Sequence, residues 1–385
     1  MSPLNLPRPA WMTEDLVLLE EQARRFCEAE FAPHVERWNE QGMYEHEVWQ
    51  KAGAAGLLCA SMPEEYGGGG GTFAHETVIN MEFSRAGFDS FGAPLHSGIV
   101  APYILHYGTE DQKKRWLPKL AAGELIGAIA MTEPGTGSDL QGVRTSVVKR
   151  GNRYVLNGSK TFITNGQHAN LIVVVAKTDP KQGAKGVSLM VVETDDAPGF
   201  RRGRKLKKLG LDSADTSELF FEDVSLPAEN LLGREEGQGF AQLMNELPRE
   251  RLLVATHAMA MMERALQLTI DYVKERQAFG KKIIEFQNTQ FVLAECKTEL
   301  TVARVFMDHC VTRHVAGELD TVTASMAKYW LTDLQAKVID RCLQLFGGYG
   351  FMDEYPISRM YRDARVMRIY AGTNEIMKLL IARSL

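Results

Sequence analysis

Two loop sequences near the middle of the chain contain residue types that could bind a ligand. Residues 131–139 read MTEPGTGSD, a turn dense in hydroxyl groups and glycines that follows a short apolar run. Residues 157–166 read NGSKTFITNG, a hairpin turn that leads into a short strand and a second Asn-Gly turn. Backbone N–H groups and hydroxyls in such loops can donate hydrogen bonds to an anionic or heteroaromatic ligand. Each sequence is also typical of an ordinary turn, so neither identifies a ligand by itself.

Common phosphate and metal motifs are missing from the sequence. Residues 135–140 read GTGSDL, which lacks the third glycine of GxGxxG, so a Rossmann nucleotide site is not expected. The sequence also has no Walker A motif, no HExxH and no close cluster of cysteine and histidine. His309 and His314 are five residues apart, a spacing that does not place them on one helical face. No metal site is predicted.

The composition limits the class of protein. The chain has 385 residues, of which 45% are hydrophobic and 24% charged, values that are ordinary for a soluble globular protein. They exclude a disordered chain, a collagen and a membrane bundle. The longest purely apolar runs, such as residues 171–176, are far shorter than the ~20 residues of a spanning helix. The net charge of −5 argues against nucleic acid as the main partner.

Cysteine usage and the N-terminus predict a compartment. The cysteines are odd in number, form no CxxC and are expected to be reduced thiols; they are Cys27, Cys59, Cys296, Cys310 and Cys342. The N-terminal segment is acidic and lacks a basic start followed by an apolar stretch, so no secretory or transit peptide is predicted. Together these features predict a cytoplasmic location.

The hydrophobic periodicity divides the chain into three predicted domains. Residues 1–125 have apolar residues at helical spacing, and Thr109 with Gln112 forms a capping box. Residues 126–235 predict an antiparallel β-barrel-like domain from short β-rich runs at 126–131, 154–156, 171–177, 187–193 and 219–224. Residues 236–385 return to helical periodicity near 240–276, 287–316, 321–345 and 374–383. The fold class predicted is α+β.

Taken together, several motifs resemble the acyl-CoA dehydrogenase family, with features of its long-chain type. They span nearly the whole chain, at residues 62–68, 132–139, 157–166, 221–224, 275–281, 344–350, 362–364 and 369–373. The resemblance implies an N-terminal helical domain, a middle β-domain and a C-terminal four-helix bundle. It also implies an FAD enzyme that oxidises an acyl-CoA thioester to the trans-2-enoyl-CoA, with a carboxylate base at Cα and flavin N5 accepting hydride from Cβ.

The resemblance is specific about the base. Many members carry a glutamate in an IYEGT motif, but residues 369–373 here read IYAGT, so Ala371 has no side chain to take a proton. Long-chain and isovaleryl types instead place the base just before an arginine in the helix after the β-domain, where this chain has Glu250 and Arg251. Ala371 is expected to keep the backbone N–H that polarises the thioester carbonyl. The small residue at 371 suggests room for a branched or bulky acyl group.

Further site residues are implied by the resemblance. The expected substrate contacts are Ser138, Pro248, Arg249, Glu250, Arg251 and Gly372. The expected flavin contacts within the subunit are Met131, Thr132, Ser138, Phe162 and Thr164. Contacts to the FAD diphosphate and adenine, partly from a neighbouring subunit, are expected from Arg276, Phe279, Gln287, Gln344, Gly347 and Gly348. Thr373 and Glu375 begin the last helix, where N–H groups and the helix dipole favour phosphate.

The resemblance also implies partners and leaves alternatives open. The expected partners are an acyl-CoA substrate, electron-transfer flavoprotein as acceptor, and a homotetramer built as a dimer of dimers. An acyl-CoA oxidase using oxygen, a flavin monooxygenase and a non-catalytic flavin- and CoA-binding homologue remain as alternatives. The basic run 201–208 is interpreted as a solvated strand edge rather than a site for CoA phosphates or a protein partner. His96 is interpreted as a satisfied or surface histidine rather than a residue of the acyl pocket.

Overall fold

The computed structural model describes residues 4, 6 and 8–385; residues 1–3, 5 and 7 of the predicted first domain lie outside the described residues. Helices come first, a sheet follows, and a second helical region ends the chain. The first helices are α1 (Glu14–Phe26), α2 (Val35–Gln41), α3 (His46–Ala54), α4 (Phe73–Ala86), α5 (Ala93–Leu95), α6 (Ala101–Tyr107) and α7 (Glu110–Ala121). This order confirms the predicted α+β fold.

The N-terminal helices pack around an aromatic cluster. The ring of Phe31 lies 4.8 Å from that of Phe88 and 4.9 Å from that of Phe91, both in edge-on contacts that aromatic rings favour. The predicted capping box at α7 is confirmed. The backbone N–H of Gln112 donates to the hydroxyl of Thr109 at 3.3 Å, and the backbone N–H of Thr109 donates to the amide oxygen of Gln112 at 2.9 Å.

The middle region is a seven-stranded sheet with the order β1-β4-β2-β3-β7-β6, and β5 pairs with β4. Its strands are β1 (Gly127–Ala130), β2 (Ser146–Arg150), β3 (Arg153–Thr164), β4 (Leu171–Lys177), β5 (Val187–Glu193), β6 (Phe200–Lys205) and β7 (Thr216–Pro227). Two of these, β2 and β6, are not among the predicted runs, because they are rich in Arg and Lys rather than apolar residues. Strand β6 stands at one end of the strand order, which confirms that the start of the basic run is a strand edge.

The strand directions differ from the prediction in one part of the sheet. Four pairings are antiparallel, but β1 runs parallel to β4, and β2 meets β4 in a parallel pairing between Ser146 and Lys177. Between β1 and β4 the chain passes through the whole β2-β3 hairpin. A connection of that length permits parallel pairing, which a tight hairpin does not.

The C-terminal region contains the long helices. They are α8 (Gly239–Glu275), α9 (Gln287–Val315), α10 (Thr321–Phe346), α11 (Pro356–Asp363) and α12 (Asn374–Ala382), with a small hairpin of β8 (Gln277–Ala278) and β9 (Lys281–Lys282) after α8. Helix α10 packs against α8, α9 and α12, which confirms the predicted bundle. Pro248 lies inside α8. Because proline has no N–H to donate one turn back, the helix is weakened two residues before Glu250.

Candidate active site

Glu250 is a buried carboxylate on α8. Its Oε1 accepts a hydrogen bond of 2.8 Å from the hydroxyl of Tyr103. Burial removes water from the charged form and raises the pKa of Glu250 to about 7, and the negative charge of Glu246 acts in the same direction. The Tyr103 hydrogen bond and the positive charge of Arg251 oppose this rise. A carboxylate with a pKa near neutrality can accept a proton from carbon at physiological pH.

Helix α6 carries two residues that contact carboxylates of α8 and that were not identified from the sequence. Tyr103 is fully buried, and its contact with Glu250 joins residues 147 positions apart. One turn further along α6, Nδ1 of His106 lies 2.7 Å from Oε1 of Glu246, which is one turn before Glu250 on α8. No motif marks these residues in the sequence, because the contact forms only when the first helical region packs on α8. The α6 helix therefore fixes the direction of two carboxylates of α8.

Arg251 lies on the opposite side of Glu250, toward α10. Its guanidinium is buried and donates through Nη1 to the hydroxyl of Ser325 at 3.4 Å. Burial lowers the pKa of Arg251, with the negative charge of Glu250 opposing. Its Nε has no hydrogen-bond partner among the described residues. The Arg251 guanidinium therefore lies near the Glu250 carboxylate but forms no ion pair with it.

The loop that contains Ala371 has an uncommon backbone. Ala371 has a φ of +53° and Gly372 a φ of +88°, so two consecutive residues occupy the left-handed region. That region costs a non-glycine residue about 1–2 kcal/mol, and such conformations cluster at functional sites. Thr373 then caps α12, with its hydroxyl accepting from the N–H of Ile376 at 3.4 Å. Glu375 is exposed in the first turn of this helix.

Two of the residues expected to contact the flavin, Thr132 and Phe162, lie on neighbouring segments of the β-domain. The N–H of Thr161 donates to the carbonyl of Thr132 at 2.9 Å, which holds the loop after β1 beside the end of β3. A shift in pairing register between Lys160 and Ile163 marks a bulge in β3, and Phe162 in that bulge has a φ of +60° and is 67% exposed. A bulge re-aims the side chain it carries. Phe162 is therefore presented as a free aromatic face next to Thr132.

Lys160 was not identified from the sequence, although it supports this corner. It is buried, and its Nζ donates to the carbonyl of Met131 at 3.0 Å and to Oε1 of Glu133 at 2.9 Å. These bonds orient the strand end that carries Met131 and Thr132. Thr164 is half-buried at the end of β3, and Ser138 is exposed on its loop. The structure records no contact that joins Ser138 to Thr164.

A second group of expected cofactor residues lies at the other end of α8. Arg276, Gln344, Gly347 and Gly348 line one groove of about 680 Å³. Phe279 at the tip of the β8-β9 hairpin has a φ of +52° and is 95% exposed. Gln287 is exposed at the first residue of α9. Glu250 and Arg276 are separated by about 39 Å along α8, at 1.5 Å per residue, so these groups form two separate sites within one chain.

Both ring nitrogens of His96 have partners in the structure. His96 is buried, its Nδ1 accepts from the N–H of Gly127 at 2.9 Å, and its Nε2 lies 3.0 Å from the carbonyl of Leu120. Burial lowers the pKa of His96 to about 4, so it is a satisfied neutral histidine. Within residues 4, 6 and 8–385 there is no group of three or more metal-binding side chains. In the same part of the chain, no helix has the length and apolar character required to cross a membrane.

Three family models match the chain in order. They are described as the N-terminal, middle and C-terminal domains of acyl-CoA dehydrogenase, and they match residues 13–124, 128–224 and 237–385. The mitochondrial long-chain specific acyl-CoA dehydrogenase of Mus musculus is 50% identical over 370 residues, covering 96% of this chain and 86% of that protein.

Solved structures agree with these matches. The crystal structure of acyl-CoA dehydrogenase from Geobacillus kaustophilus has a TM-score of 0.95 and 50% identity, covering 98% of this chain and 99% of that one. A glutaryl-CoA dehydrogenase from Mycobacterium smegmatis in complex with FADH2 has a TM-score of 0.89 and 30% identity, covering 97% and 94%. The fold is that of a family of flavin-dependent oxidoreductases. The chain belongs to the acyl-CoA dehydrogenase family, whose members use FAD to oxidise acyl-CoA.

Proposed function

We propose that Glu250 is the base that removes the Cα proton of the acyl-CoA. The observation that carries this proposal is a buried carboxylate with a pKa raised to about 7 and one oriented oxygen. In the reaction, the Cα–H bond breaks and its proton passes to Glu250. The electron pair left behind forms the Cα=Cβ double bond, and the hydride leaves Cβ. FAD, when bound, supplies the hydride acceptor.

The residues present fit a flavin. Phe162 is 67% exposed and lies next to Thr161, whose N–H bonds the Thr132 turn. At the other end of α8, the groove beside Arg276 has a glycine pair at Gly347 and Gly348 where a nucleotide can approach the backbone closely. We infer that Phe162 with Met131, Thr132 and Thr164 would hold the ring system. Arg276, Phe279, Gln287 and Gln344 would hold the nucleotide part of a second subunit's FAD.

The second role we propose is carbonyl polarisation by the loop at 371. The Ala371 N–H would donate to the thioester oxygen, which acquires negative charge when Cα loses its proton. A positioned donor at such an oxygen is worth a few kcal/mol in the transition state. Ser138, Pro248, Arg249, Arg251 and Gly372 are proposed to line the path of the acyl-CoA.

The proposed substrates are long-chain or branched acyl groups. Support comes from the 50% identity to a long-chain enzyme and from the small side chain of Ala371. The family also contains enzymes named for glutaryl-CoA, so the family alone does not determine chain length. We further propose electron-transfer flavoprotein as acceptor, a homotetramer as the assembly, and a cytoplasmic location. All the described cysteines are free and buried, which is consistent with a reducing compartment.

Anaerobic flavin bleaching tests the proposal. Purified holoenzyme should lose its yellow colour on addition of straight, 2-methyl or 3-methyl acyl-CoA, and the preferred substrate should bleach it fastest. Glu250→Gln should retain FAD but slow bleaching by about 10²–10⁴-fold, the usual contribution of a general base. A wild-type rate in this variant would show that another group is the base. Reoxidation by electron-transfer flavoprotein compared with oxygen distinguishes a dehydrogenase from an oxidase.

A further inference from the structure

Lys328 on α10 is a fully buried lysine that the proposed chemistry does not use. Its Nζ donates to the carbonyl of Gly372 at 2.7 Å and to Oδ1 of Asn374 at 2.9 Å. No carboxylate in the described part of the chain forms an ion pair with it. Lysine is rarely buried without a charged partner, because removing its ammonium from water is unfavourable. Its two acceptors therefore indicate what this side chain does: it binds the loop that contains Ala371.

The loop is held by α10 at Gly372 and at Asn374, just after it. Its backbone at Ala371 and Gly372 is left-handed, a conformation that persists only where the surroundings fix it. After the loop, the side-chain amide of Asn374 donates to the hydroxyl of Thr332 at 2.9 Å and to a carboxylate oxygen of Asp333 at 2.9 Å. Lys328 is the side chain that bonds directly to the carbonyl of Gly372. Without it, that carbonyl would lose its hydrogen bond to α10.

The same face of α10 also holds the turn that carries Glu250. Ser325 lies three residues before Lys328, so the two side chains are neighbours on the helix surface. The Ser325 hydroxyl accepts from Arg251, the residue next to Glu250, at 3.4 Å. Helix α10 thus contacts the base-bearing turn of α8 through Ser325 and the Ala371 loop through Lys328.

We propose that Lys328 is a positioning residue that sets the Ala371 N–H at the correct distance from the carboxylate of Glu250. The proposal rests on the proposed function, because it matters for turnover only if Glu250 is the base and the loop polarises the substrate. It acts through geometry rather than charge. Burial and the nearby Arg251 lower the pKa of Lys328 to about 7, yet a neutral amine still has two N–H groups for its two acceptors.

The variant Lys328→Met tests this role, because methionine has a similar length and no donor. We expect kcat for flavin reduction to fall about 100-fold, the effect of misplacing a reacting group by ~1 Å. KM for acyl-CoA should change less than threefold, FAD content should stay the same, and the pH at which activity rises should not move. Hydrogen exchange of the 370–374 amides should become faster, while exchange around residue 250 remains unchanged.

Lys337→Met is the matched control, since Lys337 lies on the same helix, is 56% exposed and pairs with Glu299. Lys328→Gln keeps an amide donor on a shorter side chain and should give an intermediate loss of kcat. It replaces Lys328→Met as the test variant if the methionine variant does not fold. A wild-type kcat and unchanged loop exchange in a folded variant would overturn the proposal. So would a rise in KM alone or a shifted pH profile. If no acyl-CoA bleaches the wild-type flavin, the proposed function fails, whereas loop exchange still reports whether Lys328 holds residues 370–374.

Discussion

The two ends of α8 carry two very different sites. Near its start, Glu250 is buried, its oxygen is bonded by Tyr103, and its neighbour Arg251 is bonded by Ser325. At its end, Arg276 lines an open groove, and Phe279 on the following hairpin is 95% exposed. The first site is assembled from α6, α8 and α10 of the same chain. At this second site the Phe279 ring contacts the edge of Phe286 at 6.2 Å, and the Arg276 guanidinium lies 5.5 Å from the ring of Tyr349.

The buried end of α8 has the features that proton transfer requires, whereas the open end has those of a surface that binds another molecule. A base must have a shifted pKa and a fixed direction, and both require burial and partners within the fold. A surface that binds the cofactor of a neighbour must instead stay open until that neighbour arrives. Large exposed aromatic residues next to a groove are typical of such binding surfaces. The comparison supports the proposal that each chain completes the FAD site of a neighbouring subunit.

Arg276→Ala should have the largest effect of the three changes that test this comparison. Loss of a charge-assisted contact to a diphosphate, worth about 1.5–3 kcal/mol, should weaken FAD binding about 10- to 100-fold. The folded bundle should be unaffected, because Arg276 forms no ion pair within the described chain. FAD retention after dilution, followed by absorbance after gel filtration, measures the effect.

Arg204→Ala is the control for Arg276→Ala. Arg204 is an exposed arginine of β6, far from the groove in sequence, and faces Glu218. FAD content in that variant should match the wild type. Light scattering of the holoenzyme gives an independent result: a monomer that keeps its FAD would show that the Arg276 end does not serve a neighbouring subunit.

Tyr103→Phe should have an intermediate effect at the Glu250 end. The Tyr103 hydroxyl favours the charged carboxylate, so its removal should raise the pKa of Glu250 above about 7. Because the base must be deprotonated, the rise of kcat/KM with pH should move to higher pH. A hydrogen bond to a charged group of about 1.5 kcal/mol corresponds to a roughly tenfold loss of kcat/KM at pH 6. FAD binding should not change.

Tyr66→Phe provides a comparison with the same chemistry elsewhere. Tyr66 donates to Glu110 at 2.8 Å in the N-terminal region, away from the α8 site. Its pH profile should match that of the wild type. If the pH profile of kcat/KM is unshifted in Tyr103→Phe, the hydrogen bond does not change the pKa of the group that titrates during turnover.

The double variant Ala371→Glu with Glu250→Gln should have the smallest effect, a gain of a few-fold over Glu250→Gln alone. A carboxylate at 371 would approach the same Cα from the loop, but a misplacement of ~1 Å can cost about 100-fold. The gain should favour straight acyl-CoAs, since the larger side chain fills space that alanine leaves open. Anaerobic bleaching with straight and branched substrates measures it. No gain with any substrate while FAD stays bound would show that residue 371 does not face the reacting carbon.

Much of the fold could be predicted from sequence because its helices are long and periodic. The segments predicted near 287–316 and 321–345 correspond to α9 and α10 within one residue at each end. Strands β4 and β5 match their predicted runs because both are continuous apolar segments. Strands β2 and β6 were missed because both contain arginine and lysine residues that interrupt an apolar or alternating pattern. Strand direction was also partly wrong, since local spacing does not show which strands become neighbours.

The sequence, through its resemblance to the acyl-CoA dehydrogenase family, determined the proposed position of the base: the family's carboxylate is missing at 371 and one is present at 250. The same resemblance implied which glycines and aromatic residues to expect around a flavin. Only the tertiary structure decided the environment of that carboxylate: the burial that raises its pKa, the hydroxyl of Tyr103 and the hydrogen bond from the neighbouring Arg251 to Ser325. A pKa and a fixed direction depend on groups that are close in space. Those groups lie on helices separated by up to 147 residues in the chain, so no local pattern encodes them.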